Sequence, residues 1–356
     1  MTCLTYQRSC GTATEFYLTA TPTPGSAVFA EVADTLRRNQ ACILQERIFA
    51  QTDEVGALAR ERSAAYGNLD DGIAPTWLAS PQGRGGPLAA IQVHAITGTK
   101  APTLVGGHAR ILHHPGASLV TVSAITAPQA GDVPEQCAAV FNEIGSLLER
   151  TGTAMNRIAR TWLWMDPIYS WYRDLNRTRN LCFLKQGLIA ADGKPVHLPA
   201  STGIGLRPAI RGDISLEAMV AIDGPAPVML AAGGNQNCAL GYGSAFSRAA
   251  KLLTPSGDTY YVSGTAAIDA TGKTVFLGDG PRQIVNTVDN VRAVLRDLKV
   301  TEQDIVQGVA YCLTPEVAAE WQRLTPGWPL AVVLADICRD DLLFEIELTA
   351  CPGARR

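Results

Sequence analysis

The C-terminal stretch Leu330–Ala350, LAVVLADICRDDLLFEIELTA, contains the pattern that decides the fold. Its first five residues, Leu330–Leu334, predict an apolar strand, and a turn rich in acidic residues follows. The next strand alternates between polar and apolar residues, so Glu345 and Glu347 share one face of it. A strand that is buried on one side only has a polar face in any case, and this is the ordinary explanation for two such glutamates.

The composition indicates a soluble globular protein. The chain has 356 residues, of which 47% are hydrophobic and 18% charged, with a net charge of −3, and it is long enough for two or three packed units. Since lysine and arginine form no clusters, we expect no nucleic-acid partner. We also expect no membrane partner and a cytoplasmic location, because no apolar run is long enough for a span and the polar N-terminus lacks a signal-peptide core.

The residue types that bind metals and cofactors show no useful spacing. The nine cysteines are scattered singly, without a CxxC pair, which favours reduced thiols over disulfides or zinc ligands. Among the five histidines only His113 and His114 are adjacent. No GxGxxG or GxxxxGK[ST] loop is present. We therefore expect neither a metal nor another cofactor.

The C-terminal third predicts the element order β-α-β-α-β-β. Tyr260–Ile268 forms a strand, and a helix begins at Pro281 with apolar residues every three or four positions. Ile305–Leu313 is a second strand and Glu316–Leu324 a short helix, and the two strands of Leu330–Ala350 follow.

The middle third repeats this order. Its segments are Leu119–Thr126, Pro134–Arg150, Ile158–Met165, Pro167–Leu188, Pro199–Gly205 and Ile214–Ile222. The alignment of the two repeats sets Glu217 against Glu345. Internal similarity on this scale indicates a chain built from consecutive copies of one structural unit.

The first hundred residues predict the same unit without its opening strand. The expected elements are a helix at Ala27–Arg38, a strand at Cys42–Gln51, a helix at Glu54–Tyr66, and a strand pair, Pro75–Ser80 and Leu88–Thr97, around the turn PQGRGG. We expect an α+β protein divided into an N-terminal region, 1–225, made of a partial unit (1–100) and a second unit (101–225), and a C-terminal domain, 226–356.

The C-terminal unit resembles the RidA/YjgF-like (chorismate-mutase-like) family of trimeric deaminases, through YVSGTAAI, QIVNTVDNVRAVL and FEIELTA. The resemblance implies that consecutive units form a pseudo-oligomer within one chain, which is then a monomer. It also implies a catalytic carboxylate at Glu345. The family arginine that lies fifteen residues before this glutamate is replaced by Leu330, which argues against an imine deaminase.

The whole chain is similar to the chorismatases of secondary metabolism. The matching segments are RTWLWMDPIYSWYRDLNRTR (Arg160–Arg179), PASTGIG (Pro199–Gly205) and GSAFSRA (Gly243–Ala249), in addition to the C-terminus. This resemblance implies hydrolysis of the enolpyruvyl ether of chorismate without a cofactor. The residue seven positions before the glutamate distinguishes product types, and Cys338 at this place implies 3-hydroxybenzoate and pyruvate.

The chemistry of an enol ether fits Glu345 as a general acid. Cleavage requires protonation of the terminal methylene carbon, and hence a carboxyl that is still protonated near neutral pH. Desolvation raises the pKa of a carboxyl. Because Glu345 lies between Phe344 and Ile346 in a packed sheet, we expect it to be partly dry, and we expect Glu347, nearer the strand end, to be solvated.

Chorismate has two carboxylates, and arginine binds carboxylates bidentately. The candidate substrate-binding residues are Arg160, Arg207, Arg248, Ser247 and the backbone N–H groups of Gly264 and Gly203. For the two glycines, a plain turn or close strand packing explains the residue equally well. We expect Cys338 to contact the substrate ring, and a nucleophilic role is disfavoured because no histidine is near it in sequence.

Three alternatives remain open at this level. The first is a chorismatase that releases a dihydroxycyclohexadiene carboxylate or 4-hydroxybenzoate. The second is a RidA-like imine or enamine deaminase, which Leu330 opposes. The third is a non-catalytic protein that binds a ligand with the same fold.

Overall fold

The computed structural model describes residues 3–79, 87–209 and 212–356, and these form three sheets of six strands with helices packed on them. The N-terminal part contains β1 (Cys3–Cys10), β2 (Ala13–Ala20), α1 (Val28–Arg38), β3 (Cys42–Ala50), α2 (Val55–Tyr66), β4 (Thr76–Ala79) and β5 (Leu88–Thr97). The middle part contains β6 (Thr103–Val105), β7 (Ala109–Leu112), β8 (Leu119–Ile125), α3 (Val133–Arg150), β9 (Ile158–Met165), α4 (Ile168–Lys185), β10 (Ala200–Ile204), β11 (Arg207–Pro208) and β12 (Ile214–Ala221). The C-terminal part contains β13 (Val228–Leu230), β14 (Ala249–Thr254), β15 (Gly257–Ala266), α5 (Gly280–Leu298), β16 (Ile305–Cys312), α6 (Pro315–Leu324), β17 (Leu330–Leu334) and β18 (Phe344–Ala350).

The three sheets share one topology. The strand orders are β1-β2-β5-β3-β4-β11, β6-β7-β8-β12-β9-β10 and β13-β14-β15-β18-β16-β17. In each sheet the last strand of the repeat lies antiparallel between the opening strand and the second strand, and the third strand runs parallel to the second; in the N-terminal sheet β11 is added outside the third strand. The predicted α+β class and the repeated β-α-β-α-β-β unit are therefore confirmed, whereas the domain limits at 100 and 225 stay a proposal.

The N-terminal unit does have an opening strand, so the prediction that it lacks one is wrong. The strand β2 pairs with β5 as β8 and β15 pair with the last strands of their units. Sequence reasoning missed it because polar residues interrupt its apolar pattern. Glu15 is fully buried in β2 and accepts hydrogen bonds from the Tyr17 hydroxyl and the His94 ring. The predicted turn PQGRGG lies outside the described residues.

The helices cover the outer face of each sheet. The α3 helix begins with a capping box, in which the Asp132 carboxylate accepts from the Glu135 N–H while the Glu135 carboxylate accepts from the Asp132 N–H. In α5 the predicted apolar face is buried, including Ile284, Val291 and Leu295. Three separate apolar clusters fill the space between helices and sheets. In the described part of the chain, no helix combines the length and apolarity that a membrane span requires.

The inner faces of the three sheets meet in a fourth apolar cluster. At its centre Trp164 from the middle sheet contacts Phe49 from the N-terminal sheet and Tyr311 from the C-terminal sheet, with ring centroids 6.2 Å and 6.3 Å apart. The three units therefore surround a common axis, as three subunits of a trimer do.

Polar contacts around this axis follow the same cyclic order. Arg47 of the N-terminal unit forms a salt bridge with Glu217 of the middle unit, and Arg160 of the middle unit forms one with Glu347 of the C-terminal unit. At the third interface, between the N-terminal and C-terminal units, the Gln92 side-chain amide donates to the Gly308 carbonyl oxygen at 2.7 Å. Each interface between units is thus fixed by a different set of side chains.

Strand register corrects the alignment of Glu217 with Glu345. Glu217 pairs with Trp162, the fifth residue of β9, and Glu347 pairs with Val309, the fifth residue of β16. Glu217 therefore corresponds to Glu347, two positions beyond Glu345. Sequence matching alone placed the two acidic residues together because it contained no information on strand pairing.

Candidate functional site

Glu345 lies in a central strand of the C-terminal sheet, and its side chain points to the interface with the middle unit. Its neighbours across β15 and β16 are Ala266 and Tyr311. Only 4% of the residue is exposed. Burial, with a smaller contribution from the nearby Glu347 carboxylate, raises the pKa of Glu345 to about 8, even though arginines nearby lower it. The carboxyl group is therefore protonated at neutral pH.

A cavity opens beside the Glu345 side chain at this interface. It encloses about 520 Å³ of empty space, including the part that is open to solvent. The middle unit contributes Tyr172, Arg179, Ser201 and Gly203, and the C-terminal unit contributes Tyr242, Phe246, Arg248, Gly264, Ala266, Ile268, Cys338, Arg339, Leu342 and Glu345. The two units together complete the cavity.

Three guanidinium groups face this cavity, and none of them forms a salt bridge with a described residue. Arg248 is buried and donates to the Asn237 carbonyl oxygen and to the Tyr242 hydroxyl, at 2.8 Å and 2.7 Å from Nη2. Arg339 donates to a backbone carbonyl. Arg179 is buried, and burial lowers its pKa. These cations and a protonated Glu345 make the cavity suitable for an anionic ligand.

Two of the cavity residues come from α4, where sequence reasoning did not single them out. Tyr172 and Arg179 lie seven residues apart and therefore on one helix face. The neighbouring Arg173 and Arg177 are exposed. From the sequence, only this seven-residue spacing could have indicated that the two side chains act together. Tyr242, in a short helical turn before β14, carried no comparable signal.

Cys338 lies in the loop between β17 and β18 and lines the cavity, where its thiol is close to Glu345. The loop is fixed by two backbone hydrogen bonds between Gly205 and Asp336, which join it to the end of β10. Burial raises the pKa of the Cys338 thiol to about 12, with a further contribution from Glu345. The thiol stays protonated, which disfavours a nucleophilic role.

Gly264 and Gly203 both line the cavity. The backbone N–H of Gly264, however, donates to the Thr202 hydroxyl at 3.0 Å, so the expectation that it binds a substrate oxygen is not supported. Gly264 instead provides space, because a Cβ at this position would lie 2.0 Å from Oε1 of Glu345. At Gly203 a Cβ would only come into ordinary contact with Tyr172.

Arg160 does not reach the cavity. It is buried, and its guanidinium donates to the Glu347 carboxylate and the Thr202 hydroxyl. Glu347 also accepts from the Trp162 indole N–H at 3.0 Å and from the Tyr311 hydroxyl at 3.2 Å. The expectation that Glu347 is solvated is therefore wrong. The charge of Arg160 in an otherwise apolar strand correctly indicated that it has a buried anionic partner. That partner is the Glu347 carboxylate of the C-terminal unit.

Arg207 and Ser247 are also outside the cavity. Arg207 is exposed in β11 and pairs with Ala79 at the other interface of the middle unit. Ser247 is fully buried, and its carbonyl oxygen accepts from the Ser263 hydroxyl. Of the predicted set, Glu345, Cys338, Arg248, Gly264 and Gly203 line the cavity, and their roles in binding or catalysis stay predictions.

Leu330 does not line the cavity of Glu345. Leu330 pairs with Gly308, the fourth residue of β16, while Ser201 pairs with Thr161, the fourth residue of β9. Ser201, contributed by the middle unit, lines the cavity of Glu345 at this position of its sheet.

No group of three or more potential metal ligands occurs among the described histidine, cysteine, aspartate and glutamate residues. No family model matches the sequence, and no curated protein matches it. Among solved structures, the chain is similar to a chorismatase at 20% identity and a TM-score of 0.65, over 96% of this chain and 100% of the other. A Rid-family protein of unknown function from Yersinia pestis aligns with 30% of the chain, and with 86% of its own, at 23% identity and a TM-score of 0.26. Over nearly its whole length, the chain has the fold of a chorismatase.

Proposed function

We propose that this protein is a chorismatase that converts chorismate into 3-hydroxybenzoate and pyruvate. The proposal depends chiefly on one observation: a buried carboxyl, Glu345, with a pKa of about 8 lies in a cavity with three arginines that have no carboxylate partner among the described residues. The similarity of the fold to a chorismatase supports the same reaction. The proposed reaction requires no cofactor.

The arginines account for binding. A carboxylate that leaves water needs a positive partner or several hydrogen bonds. Arg179, Arg248 and Arg339 come from three different segments of the chain and line different sides of the cavity. Together they bind the two carboxylates of one chorismate molecule. The aromatic rings of Tyr172, Tyr242 and Phe246 provide apolar contacts for the substrate ring.

Glu345 supplies the proton. Because its carboxyl is protonated at neutral pH, it donates this proton to the terminal methylene carbon of the enolpyruvyl group and forms an oxocarbenium ion. Water adds to the cation, and collapse of the hemiketal releases pyruvate. The nearby Arg248 and Arg339 lower the pKa of Glu345 and so stabilise the carboxylate that the proton transfer leaves behind.

The ring now carries two hydroxyl groups, and it loses as water the one that chorismate itself carried, together with the hydrogen of the carbon that bore the ether oxygen, and so becomes aromatic. The water that cleaves the ether is thereby returned, so that one chorismate gives one pyruvate and one 3-hydroxybenzoate. We propose that the neutral Cys338 thiol contacts the ring during this step. Replacement of Cys338 by alanine is expected to shift the product towards the dihydroxycyclohexadiene carboxylate, and an unchanged product ratio would exclude this role.

The direct test is to incubate the purified protein with chorismate, without added metal or nucleotide, and to quantify pyruvate and the ring products together. Equal amounts of pyruvate and 3-hydroxybenzoate are expected. Pyruvate with a diol or with 4-hydroxybenzoate would retain the enzyme class and refute the product. Absence of pyruvate would refute the proposal and favour a binding protein or an imine deaminase.

The matched variants are Glu345→Gln and Glu143→Gln. The first removes the proton donor and keeps the size of the side chain, so turnover should be lost while the fold persists. The second removes an exposed carboxylate of α3 and should have no effect. We also propose a cytoplasmic monomer, since the three units of one chain occupy the three places around the axis; light scattering tests the oligomeric state.

A further inference from the structure

The interface between the N-terminal and middle units contains a second cavity, separate from the site of Glu345. It encloses about 560 Å³ of empty space, again including the part that is open to solvent. The residues that determine its chemistry are Thr76, Trp77, His108, Ala124 and Ser215. The proposed reaction uses none of them.

Strand register shows that this cavity is the counterpart of the first. Ser215 pairs with Trp164, the seventh residue of β9, and Glu345 pairs with Tyr311, the seventh residue of β16. Ser215 therefore occupies the position of the carboxyl group. The second cavity has no proton donor of suitable pKa at this place, because a serine hydroxyl does not ionise near neutral pH.

The arginine of the first site is also replaced. The Ser123 N–H donates to the His108 carbonyl oxygen at 2.8 Å, and the Ser263 N–H donates to the Arg248 carbonyl oxygen at 3.0 Å. In both units the residue that accepts this hydrogen bond lies directly before a strand that pairs with the opening strand. The register is the same, since Ala109 pairs with Val122 and Ala249 pairs with Val262. His108 therefore takes the place of Arg248, and the guanidinium is lost.

The two cavities also differ at the residue that follows this serine in the opening strand. Ala124 follows Ser123 as Gly264 follows Ser263, and it lies in the left-handed region with φ of 46°. A methyl group at Gly264 would collide with the Glu345 carboxyl. At the second cavity the corresponding positions hold Ala124 and the shorter Ser215, so a methyl group replaces a hydrogen atom and a hydroxyl replaces the carboxyl group.

An aromatic side chain replaces a glycine on the opposite wall. In β4, Trp77 lies directly before Leu78, which pairs with Phe49. In β10, Gly203 lies directly before Ile204, which pairs with Trp164. Phe49 and Trp164 are neighbours at the central axis. Trp77 is therefore the counterpart of Gly203 and contributes an indole ring to the second cavity.

The resulting chemistry is that of a neutral site. Neither lysine nor arginine lines the described part of this cavity, so a carboxylate would lose its hydration without compensation. Ser215 is fully buried, and its hydroxyl has no hydrogen-bond partner among the described residues. The Nδ1 atom of His108 lies 3.1 Å from the Ser123 carbonyl oxygen. This bond requires a proton on Nδ1, so that Nε2 of the neutral ring is an acceptor.

We propose that the second cavity is a binding site for an uncharged aromatic molecule that carries a hydroxyl group, and that it binds without turnover. The ring packs against Trp77, and the hydroxyl group of the ligand accepts a hydrogen bond from the otherwise unpartnered Ser215 hydroxyl and donates one to Nε2 of His108. This site does not depend on the proposed function, since it shares no residue with the cavity of Glu345.

Phenol is the simplest probe, and benzoate is the matched anion. Isothermal titration of the full-length protein should show saturable binding of one phenol per chain, and this binding should persist in Glu345→Gln. Ser215→Val should weaken phenol binding roughly tenfold, as expected for loss of one hydrogen bond in a dry site. Benzoate should not compete with phenol, and crystals grown with phenol should show it beside Ser215.

Other outcomes would overturn the proposal. These are no saturable binding of phenol in solution, binding at crystal concentration only, equal affinity in Ser215→Val, or phenol found only beside Glu345. If Ser215→Val does not fold, His108→Leu tests the same site from a half-buried position, and unchanged phenol affinity in that variant would refute the assignment.

Discussion

Replacement of Glu345 by glutamine should change how the stability of the protein depends on pH. In the unfolded chain this carboxyl ionises at its ordinary pKa of 4.5, and in the folded protein its pKa is about 8. Below pH 4.5 both states are protonated and the group has no effect. Between these two values only the unfolded chain is ionised, so a rising pH progressively favours unfolding.

The magnitude follows from the two pKa values. One pKa unit corresponds to about 1.4 kcal/mol, so the span from 4.5 to about 8 is worth on the order of 5 kcal/mol. This loss of stability is complete once the pH exceeds the pKa of the folded protein. Glutamine does not titrate in this range. The variant should therefore match the wild type at low pH and exceed it by several kcal/mol at about pH 8.

Urea unfolding of both proteins at about pH 5 and at about pH 8 measures this difference. The Glu143→Gln variant is the control, since it removes a carboxylate that is exposed on α3, and its unfolding should follow the wild type at both values. If the wild type and Glu345→Gln lose stability in parallel as the pH rises, Glu345 is ionised in the folded protein at neutral pH. The general-acid role would then be refuted, whatever the activity of the variant.

Three further substitutions test the geometry of the site. Arg248→Ala removes one cation from the cavity, and steady-state kinetics with chorismate should show KM raised by about tenfold or more. Gly264→Ala places a methyl group 2.0 Å from the Glu345 carboxyl, and kcat should fall by about a hundredfold with little change in KM. Arg160→Leu leaves Glu347 buried without its cation, and chemical unfolding should show a loss of about 3–5 kcal/mol.

Each of these has an outcome that contradicts it. Arg207→Ala is the control for Arg248→Ala, since Arg207 is exposed and outside the cavity, and an equal KM in both variants would remove Arg248 from substrate binding. An unchanged kcat in Gly264→Ala would show that the Glu345 carboxyl can move without loss of function. Normal stability of Arg160→Leu would mean that Glu347 is neutral or reached by water.

The fold was predictable to a large extent because its signals are local. Alternation in Leu343–Leu348 and the apolar spacing of the helix after Pro281 require only neighbouring residues, and both predictions are confirmed. The opening strand of the N-terminal unit was missed because Glu15 is buried there with a polar partner from another strand, His94. A local pattern contains no information on such partners.

The site was predictable only where one unit determines it. The place of Glu345 within the C-terminal sheet follows from its own strand, but the position of Arg160 depends on a carboxylate of another unit, Glu347. The same limit applies to Tyr172 and Arg179, whose contact with the cavity arises from packing between units. Residues at an interface between repeats can be assigned only when the register of both sheets is known.

The three units around the central axis belong to one polypeptide, and this changes how the site responds to dilution. In a trimer of separate subunits, a cavity shared by two subunits is lost when the protein dissociates at low concentration. Here the middle and C-terminal units that form the cavity of Glu345 are tethered, so their association is intramolecular. The tether also removes the requirement that a change at one interface be repeated at the other two. Serine at position 215 and glutamate at position 345 are an example: the same register position carries a hydroxyl group at one interface and a buried carboxyl group at another.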